Sequence, residues 1–479
     1  MCFNLGFWLV WLMLASGCKR SNVTENPRLP PDLEPPKATT AVSLYITEGD
    51  KSMLFRKSNE TLVFTGSGTA STTIEVDTTQ TYQSIDGFGY TLTGGSATLL
   101  NSLPAITLDP LLKELFLWDS TNIGVSYLRI SIGASDLSES TFTYNDMPTG
   151  ETDVNLAHFS IDKEKQHLIP LLKKIVALNP SIKILGSPWS APVWMKTNGS
   201  FKGGSLKPEY YAAYASYFVK YIQAMKAEGI IIDAITPQNE PLHAGNNPSM
   251  LMQAVEQASF IKNNLGPAFA TAGITTKIIT YDHNADRPDY PLAILNDAAA
   301  KPFVNGSAFH LYGGSISALT DVHTAHPDKH VYFTEQWVGG PGDFAGDLKW
   351  HVENLIIGAT RNWSRNVLEW NLAADANYKP HTTGGCTSCL GALTIGANVS
   401  RNVAYYIIAH ASKFVRPGSV RIGSNNIGSF ATVAFKNPEG KKVLIVLNKG
   451  VSSESFNIKF NGSMVTSVLK GGAVGTYVW

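Results

Sequence analysis

The 479-residue chain has little cysteine, little charge and no excess of either sign. Four cysteines are too few for a disulfide-built scaffold, and two of them, Cys2 and Cys18, fall in the first 18 residues. Only Cys386 and Cys389 are left to act in the body of the chain. The 38 basic and 38 acidic side chains cancel, and no block of one sign is long enough to act as a tail. A nucleic-acid binder needs a concentrated positive footprint to neutralise phosphates, so nucleic acid is excluded as a partner. A membrane-spanning apolar run is also missing from the N-terminal region: residues 7–15, FWLVWLMLA, are too short to cross roughly 30 Å of hydrocarbon as a helix. What is present is apolar and aromatic. At 44% hydrophobic residues the chain is not disordered, and its 10 Trp, 18 Tyr and 21 Phe suit a large core or a sugar-stacking surface equally well. The length fits about three domain equivalents, or one barrel of roughly 250–300 residues with a smaller module attached.

The apolar run followed by LASGC reads as an export signal over residues 1–18 and resembles a bacterial lipoprotein signal, in which Cys18 becomes the lipidated first residue. Ordinary secretion is the alternative, since no Lys or Arg precedes the run. Residues 19–40 carry five prolines, which forbid helix and sheet ladders and favour an extended tether. The expected location is a bacterial cell surface or periplasm, the membrane being touched only through the anchor, and the expected state is a monomer. For Cys386 and Cys389, in GGCTSC, a zinc site would want two more soft ligands nearby. No second C-x-x-C or paired-His motif supplies them, so a short disulfide loop is expected and no metal.

Between residues 85 and 372 a short apolar strand followed by a longer helical stretch recurs eight times, so the barrel is placed at 81–395. The strands are read at 85–90, 126–133, 182–189, 233–239, 277–284, 306–312, 330–336 and 366–372. Asp109-Pro110 reads as an N-cap with Pro at the first helical position, and Tyr211, Ala215, Phe218, Ile222 and Met225 form a 3.6-period stripe closed by Gly229. The pattern predicts an α/β fold, a (β/α)8 TIM barrel. A doubly wound dinucleotide fold is disfavoured, because the glycine-rich GFGYTLTGG does not lead cleanly into a helix and no partner acid follows in register. Outside the barrel the period changes to two. Strands in 41–80 are too few to bury a face alone, so they are expected to join those of 396–479 in one antiparallel β-sandwich.

Catalytic groups of such a barrel gather where strands end and the following loops begin. There the sequence places Arg129, Asp136, Trp189, Asn239, Glu240, Asp282, His283, His310, Tyr312, Glu335, Trp370 and Asn371, a population too polar for a core. Glu240 closes the fourth strand and Glu335 the seventh, across the mouth from one another. Cleaving an acetal needs such a pair, one carboxylic acid to protonate the leaving oxygen and one carboxylate to meet the oxocarbenium-like carbon. Trp189 and Trp370 offer apolar faces to a sugar, while Asp136, Asn239 and His310 can hydrogen-bond hydroxyls. Arg129 can neutralise a buried acid. His283 reads as a loop hydrogen-bonder, since no neighbouring His or Asp spacing completes a metal site. Trp194 and Trp337 stand open between packing and substrate contact.

These segments resemble glycoside hydrolase family 30, the glucosylceramidase-like retaining glycosidases. The likeness rests on QSIDGFGYTLTGGSA at 83, LRISIGASDLS at 128, GSPWSAPVWMKTNG at 186, ITPQNEP at 235, YFTEQW at 332 and EWNL at 369, and extends to SKFVRPGSVRI at 412. It implies Glu240 as acid/base, Glu335 as nucleophile and Asn239 at the sugar 2-hydroxyl. Arg129, Asp136, Trp189, His310, Tyr312 and Trp370 would line the subsite of the cleaved sugar, with no cofactor. Leu311 departs from the Trp usual in glucosylceramidases, and GGCTSC resembles the endo-β-1,6-glucanase branch. The resulting expectation is an exported retaining β-glucan hydrolase, an endo-β-1,6-glucanase acting by double displacement through a glycosyl ester on Glu335. A glucosylceramidase-like or exo-acting β-glucosidase, a xylan-cleaving relative and a non-catalytic glycan-binding lipoprotein are the alternatives. The cysteine loop is expected to shape the entrance beyond the cleaved sugar, so its reduction should alter polymer affinity more than activity on a small aryl glucoside.

Overall fold

The computed structural model describes residues 40–479. The expected export signal, the Pro-rich residues 19–39 and the expected lipidation of Cys18 lie outside the described residues, and among those described no helix is long and apolar enough to cross a membrane. Eight parallel strands close into a barrel, each within or overlapping its predicted segment: Gly87–Thr91, Tyr127–Ser131, Lys183–Ser187, Ala234–Ile235, Lys277–Ala285, Val304–Gly314, His330–Glu335 and Ser364–Glu369. They follow one another around the ring in chain order, and the eighth closes on the first with Asn366 opposite Gly87. Helices cover the outer faces, so the strands are buried on both sides and read as apolar runs rather than alternations. Tyr127, Leu185, Ala234, Ile279, Ala308, Tyr332 and Leu368, one from each strand after the first, pack into a single layer. On the first strand stands Gly89, where a Cβ would lie 1.9 Å from the carbonyl oxygen of Tyr127. A filled barrel has no pore, which leaves the strand C-termini as the working face.

The helix Tyr211–Ala227 buries the predicted stripe, and Gly229 beyond it has a φ of 82°, the left-handed conformation that ends helices. The first predicted cap is misplaced. That helix runs Ala105–Phe116 behind Pro104, with Pro110 inside it. Pro110 offers no N–H to the carbonyl of Ile106, but Ile106 is 86% exposed, so water can satisfy that group.

Ala41–Thr47 pairs antiparallel with the last strand, Val474–Val478, and Thr73–Ser84 is joined both to Val420–Ser424 and to Glu454–Phe460. N-terminal and C-terminal strands thus share one module with its own core, built from residues such as Leu44, Ile74, Leu444, Phe456 and Tyr477. The barrel does not end at residue 395. Leu393–Ile395 and Val399–Arg401 form a small sheet with Ala373–Ala374, and the helix Val403–Ser412 packs into the barrel's hydrophobic cluster through Val403, Ile407 and Ile408. VAYYIIAHAS is apolar on nearly every face, so neither a period of two nor one of 3.6 stands out in it. His410 of that helix is fully buried between Thr476 and Thr47, 2.8 Å from each hydroxyl. Burial lowers its pKa to about 3, so a neutral imidazole joins helix and sandwich.

Candidate active site

Arg129, on the second strand, is completely buried under the barrel mouth. One guanidinium nitrogen donates to Glu335 Oε2 at 2.5 Å, the other to Asn239 Oδ1 at 2.6 Å and Asp282 Oδ2 at 2.8 Å. The planar fork therefore gathers groups from strands two, four, five and seven, which a lysine's single nitrogen could not do. Asp282 is equally buried and accepts in addition from Ser187, Thr236 and Thr334 at 2.8, 2.8 and 2.6 Å. Burial alone would raise its carboxyl, but Arg129, His310 and the hydroxyl donors hold it well below the usual carboxylate range. Its backbone, with a φ of 69°, is in the left-handed region, as are those of Glu240 at 44° and Asn371 at 64°. Strain of this kind clusters where surrounding bonds over-determine a functional geometry.

Above this floor stand the two carboxylates. Glu335 Oε1 accepts from the Tyr312 hydroxyl at 3.0 Å, so both its oxygens are held. Glu240 Oε2 accepts from Asn246 at 3.1 Å. His310 lies between the two acids: its Nδ1 is 3.5 Å from Glu240 Oε1 and 3.8 Å from Glu335 Oε1, and its Nε2 is 3.1 Å from Asp282. Burial opposes a charged imidazole, yet the three surrounding carboxylates win and raise His310 to about 9. Burial would likewise raise Glu240, but His283 at 3.6 Å and His310 pull it well below its ordinary value. In the free protein the pair Glu240–His310 thus holds one exchangeable proton, resident on the ring.

The cavity they face has a volume of about 390 Å³. Trp189 and Trp370 form one wall, their ring centres 5.5 Å apart at 31°, and the Arg129 guanidinium sits 4.8 Å from the Trp189 ring. Two other hollows, about 440 and 920 Å³, are lined by none of these residues. Cys386 and Cys389 are disulfide-bonded and line the same cavity. The Cys386 N–H donates to Asp136 Oδ2 at 3.2 Å, and the Thr382 N–H to the Asp136 carbonyl at 2.8 Å. Gly385 makes this approach possible, because a Cβ there would fall 2.3 Å from the Asp136 carbonyl oxygen. Burial and the nearby Glu335 charge push Asp136 up to about 7, which lets it donate as well as accept.

The structure brings together most of the residues read from the strand ends, at two depths. Asp136, Trp189, Glu240, His283, Tyr312, Glu335 and Trp370 line the cavity, while Arg129, Asn239, Asp282 and His310 lie beneath or behind it. Asn371 is not brought in. It turns back to accept from Ser96 at 2.9 Å and Thr93 at 3.3 Å, tying the eighth strand's end to the first helix. Its position one residue past Trp370 put it in the group, but alternate residues leave a strand on opposite sides. Trp194 donates to Asn145 and packs, whereas Trp337 lines the cavity. Asn246, Asn284 and His243 were not anticipated: Asn246 and His243 sit in a loop whose path no periodicity reveals, and Asn284 lies at the end of the fifth strand beside His283. The expectation that the cysteine loop works only beyond the cleaved sugar is too narrow, given its bond to Asp136. Gly385→Ala, or reduction of the disulfide, is therefore expected to raise KM on an aryl glucoside as well as on a polymer by roughly five- to tenfold, about the worth of one hydrogen bond. An unchanged KM on the small substrate would show that Asp136 is held without the loop.

Comparison with known proteins agrees with this geometry. Residues 85–415 match the glycosyl hydrolase family 30 TIM-barrel domain and residues 418–477 the family 30 beta sandwich domain. The chain is 37% identical over 394 residues to the endo-1,6-beta-D-glucanase neg1 of Aspergillus fumigatus, covering 76% of this chain and 78% of that one. It is 31% identical over 425 residues to putative glucosylceramidase 4 of Caenorhabditis elegans, covering 82% and 80%. Among solved structures, the endo-beta1,6-glucanase BT3312 superposes with a TM-score of 0.85 at 36% identity, covering 92% of this chain and 99% of that one. With paired carboxylates at the ends of strands four and seven, a tryptophan-walled cavity and both domains matched, the chain belongs to glycosyl hydrolase family 30 and is a glycoside hydrolase.

Proposed function

We propose that this glycoside hydrolase is an endo-acting β-1,6-glucanase that retains configuration by double displacement. The observation that carries the mechanism is one imidazole, His310, in reach of both Glu240 and Glu335 at the floor of a sugar-sized cavity. Glu335, its oxygens oriented by Arg129 and Tyr312, attacks the anomeric carbon as the bond to the leaving oxygen breaks and a glycosyl ester forms. Glu240 protonates that oxygen. The proton comes from the Glu240–His310 pair: substrate expels water, and a drier site favours the neutral acid and neutral ring over their ion pair. Forming the ester removes the Glu335 charge, and Glu240 then takes a proton from the water that attacks the ester.

The β-1,6 linkage is supported by the named activities of the relatives at 36–37% identity and by the disulfide at the rim of the mouth. This linkage has one more rotatable bond than a β-1,4 linkage, so its chain can bend into a pocket-like cleft that a straight chain cannot enter. Linear β-1,6-glucan is expected to yield short oligosaccharides, with little action on β-1,4-glucan or xylan, and proton NMR of the first product should show the β anomer before mutarotation. Release of glucose alone from chain ends, or preference for glucosylceramide by kcat/KM, would favour the exo-acting or glucosylceramidase reading suggested by the Caenorhabditis elegans relative. An initial α anomer would remove the retaining mechanism altogether. LASGC and the Pro-rich segment that follows support export with an anchor at Cys18. Cys18→Ser should then release the protein from the membrane fraction.

A further inference from the structure

Glu240, His283 and His310 come from the ends of three successive strands, which is why no spacing in the sequence joined them. One donor atom from each lies within 4.8 Å of the other two. His283 Nδ1 is 3.6 Å and His310 Nδ1 3.5 Å from the same oxygen, Glu240 Oε1. Zinc bonds of about 2.0–2.1 Å in a tetrahedron put neighbouring donors roughly 3.3–3.4 Å apart; both nitrogen–oxygen separations are within a few tenths of an ångström of that, and the two nitrogens, no more than 4.8 Å apart, would close toward each other on one ion. Neither Nδ1 has a partner in hydrogen-bond geometry, although both side chains are more than nine-tenths buried. Two buried nitrogens without partners beside one carboxylate oxygen are a ligand set that an ion would complete. His310 also has the outer support that metal-binding histidines use, its Nε2 bonded to the Asp282 carboxylate at 3.1 Å. Glu240 and His283 line the cavity, which gives a cation an entry path and leaves a fourth position open.

We propose that Glu240, His283 and His310 form an inhibitory site for a borderline-soft divalent cation, Zn²⁺ in the first place, that occupies the catalytic centre in place of the transferable proton. Once the His310 ring has given up its proton as the ion enters, two imidazole nitrogens and one carboxylate form a donor set that zinc takes and that Mg²⁺ or Ca²⁺, which prefer oxygen, do not. Bound there, the ion would engage Glu240 as a ligand and deny it to the leaving oxygen, so inhibition would be competitive with glycan and reversed by a chelator. The inference does not depend on which glycan is cleaved.

Calorimetric titration of the chelator-treated full chain with Zn²⁺ is expected to show one ion per chain, with no comparable heat from Mg²⁺. Co²⁺ in its place should give the intense visible bands of low coordination number. Glu240→Gln and His283→Asn should each weaken Zn²⁺ binding by roughly tenfold or more and dim the Co²⁺ spectrum. Absence of stoichiometric binding, or a Zn²⁺ affinity unchanged in both variants, would overturn the proposal.

Discussion

Glu335→Ala is expected to lose turnover by a factor on the order of 10⁴ or more on every substrate, because the proposed mechanism forms its glycosyl ester on Glu335. Azide added to this variant can take the vacated space below the sugar and should give the α-glycosyl azide. Glu240→Ala should behave differently. An aryl glycoside whose leaving group needs no proton should still form the ester at an appreciable rate, which then accumulates for want of a base. Azide should speed its breakdown and give the β-glycosyl azide, while substrates with poor leaving groups stay inert. Rates with a series of aryl glycosides, and the anomeric configuration of the azide product, separate the two roles. Equal partial losses in both variants, with rescue in neither, would mean that the catalytic pair has been misassigned.

The second large effect is expected at Arg129, which touches no solvent and makes the three bonds that hold Glu335, Asn239 and Asp282 in one plane. Arg129→Leu would leave the buried Asp282 and Glu335 carboxylates with only the His310 ring as counter-charge, a change of about 3–5 kcal/mol. Thermal unfolding should therefore shift down by several degrees, and kcat should fall far more than KM rises, since the orientation of Glu335 is lost. Arg129→Lys keeps the charge but cannot reach three partners, so it should recover more stability than activity. An Arg129→Leu protein that melts with the parent would show that the aspartate and glutamate protonate at little cost. The guanidinium would then not be the keystone of the floor.

Much of this floor was legible because barrel chemistry gathers at strand ends, where polar residues interrupt apolar runs. YFTEQW and ITPQNEP announce Glu335 and Glu240 in that way. Depth was harder to read. Arg129 and Asp282 are as polar as Asp136, yet they lie under the cavity rather than in it, and only the pleat of each strand decides which. The hydroxyls of Ser187, Thr236 and Thr334 around Asp282 sit in runs that look like ordinary strand, since threonine and serine at inward positions resemble filler until their partner is placed. Asn371 went the other way, because a left-handed turn after Trp370 sends it back toward Thr93. Sandwich strands alternate clearly and were found, whereas the helix Val403–Ser412 is buried almost all round and gave no period to read.

Pairing of Ala41–Thr47 with Val474–Val478 also sets an order of assembly. The sandwich is split in sequence, with the whole barrel inserted between its pieces, so its first strand must wait for Val474–Val478. Closing so long a loop is entropically costly unless the barrel has already drawn the ends together. A chain being synthesised would therefore carry that strand paired only with the short segments Arg56–Lys57 and Leu62–Val63 until residues 474–478 are made, and the barrel, not the sandwich, is the unit able to fold early. Deleting residues 474–479 would accordingly strip partners from a strand more than four hundred positions away and expose the core around Leu44 and Leu444, while leaving every catalytic side chain in the sequence. Loss of a short tail would look in the cell like loss of the enzyme.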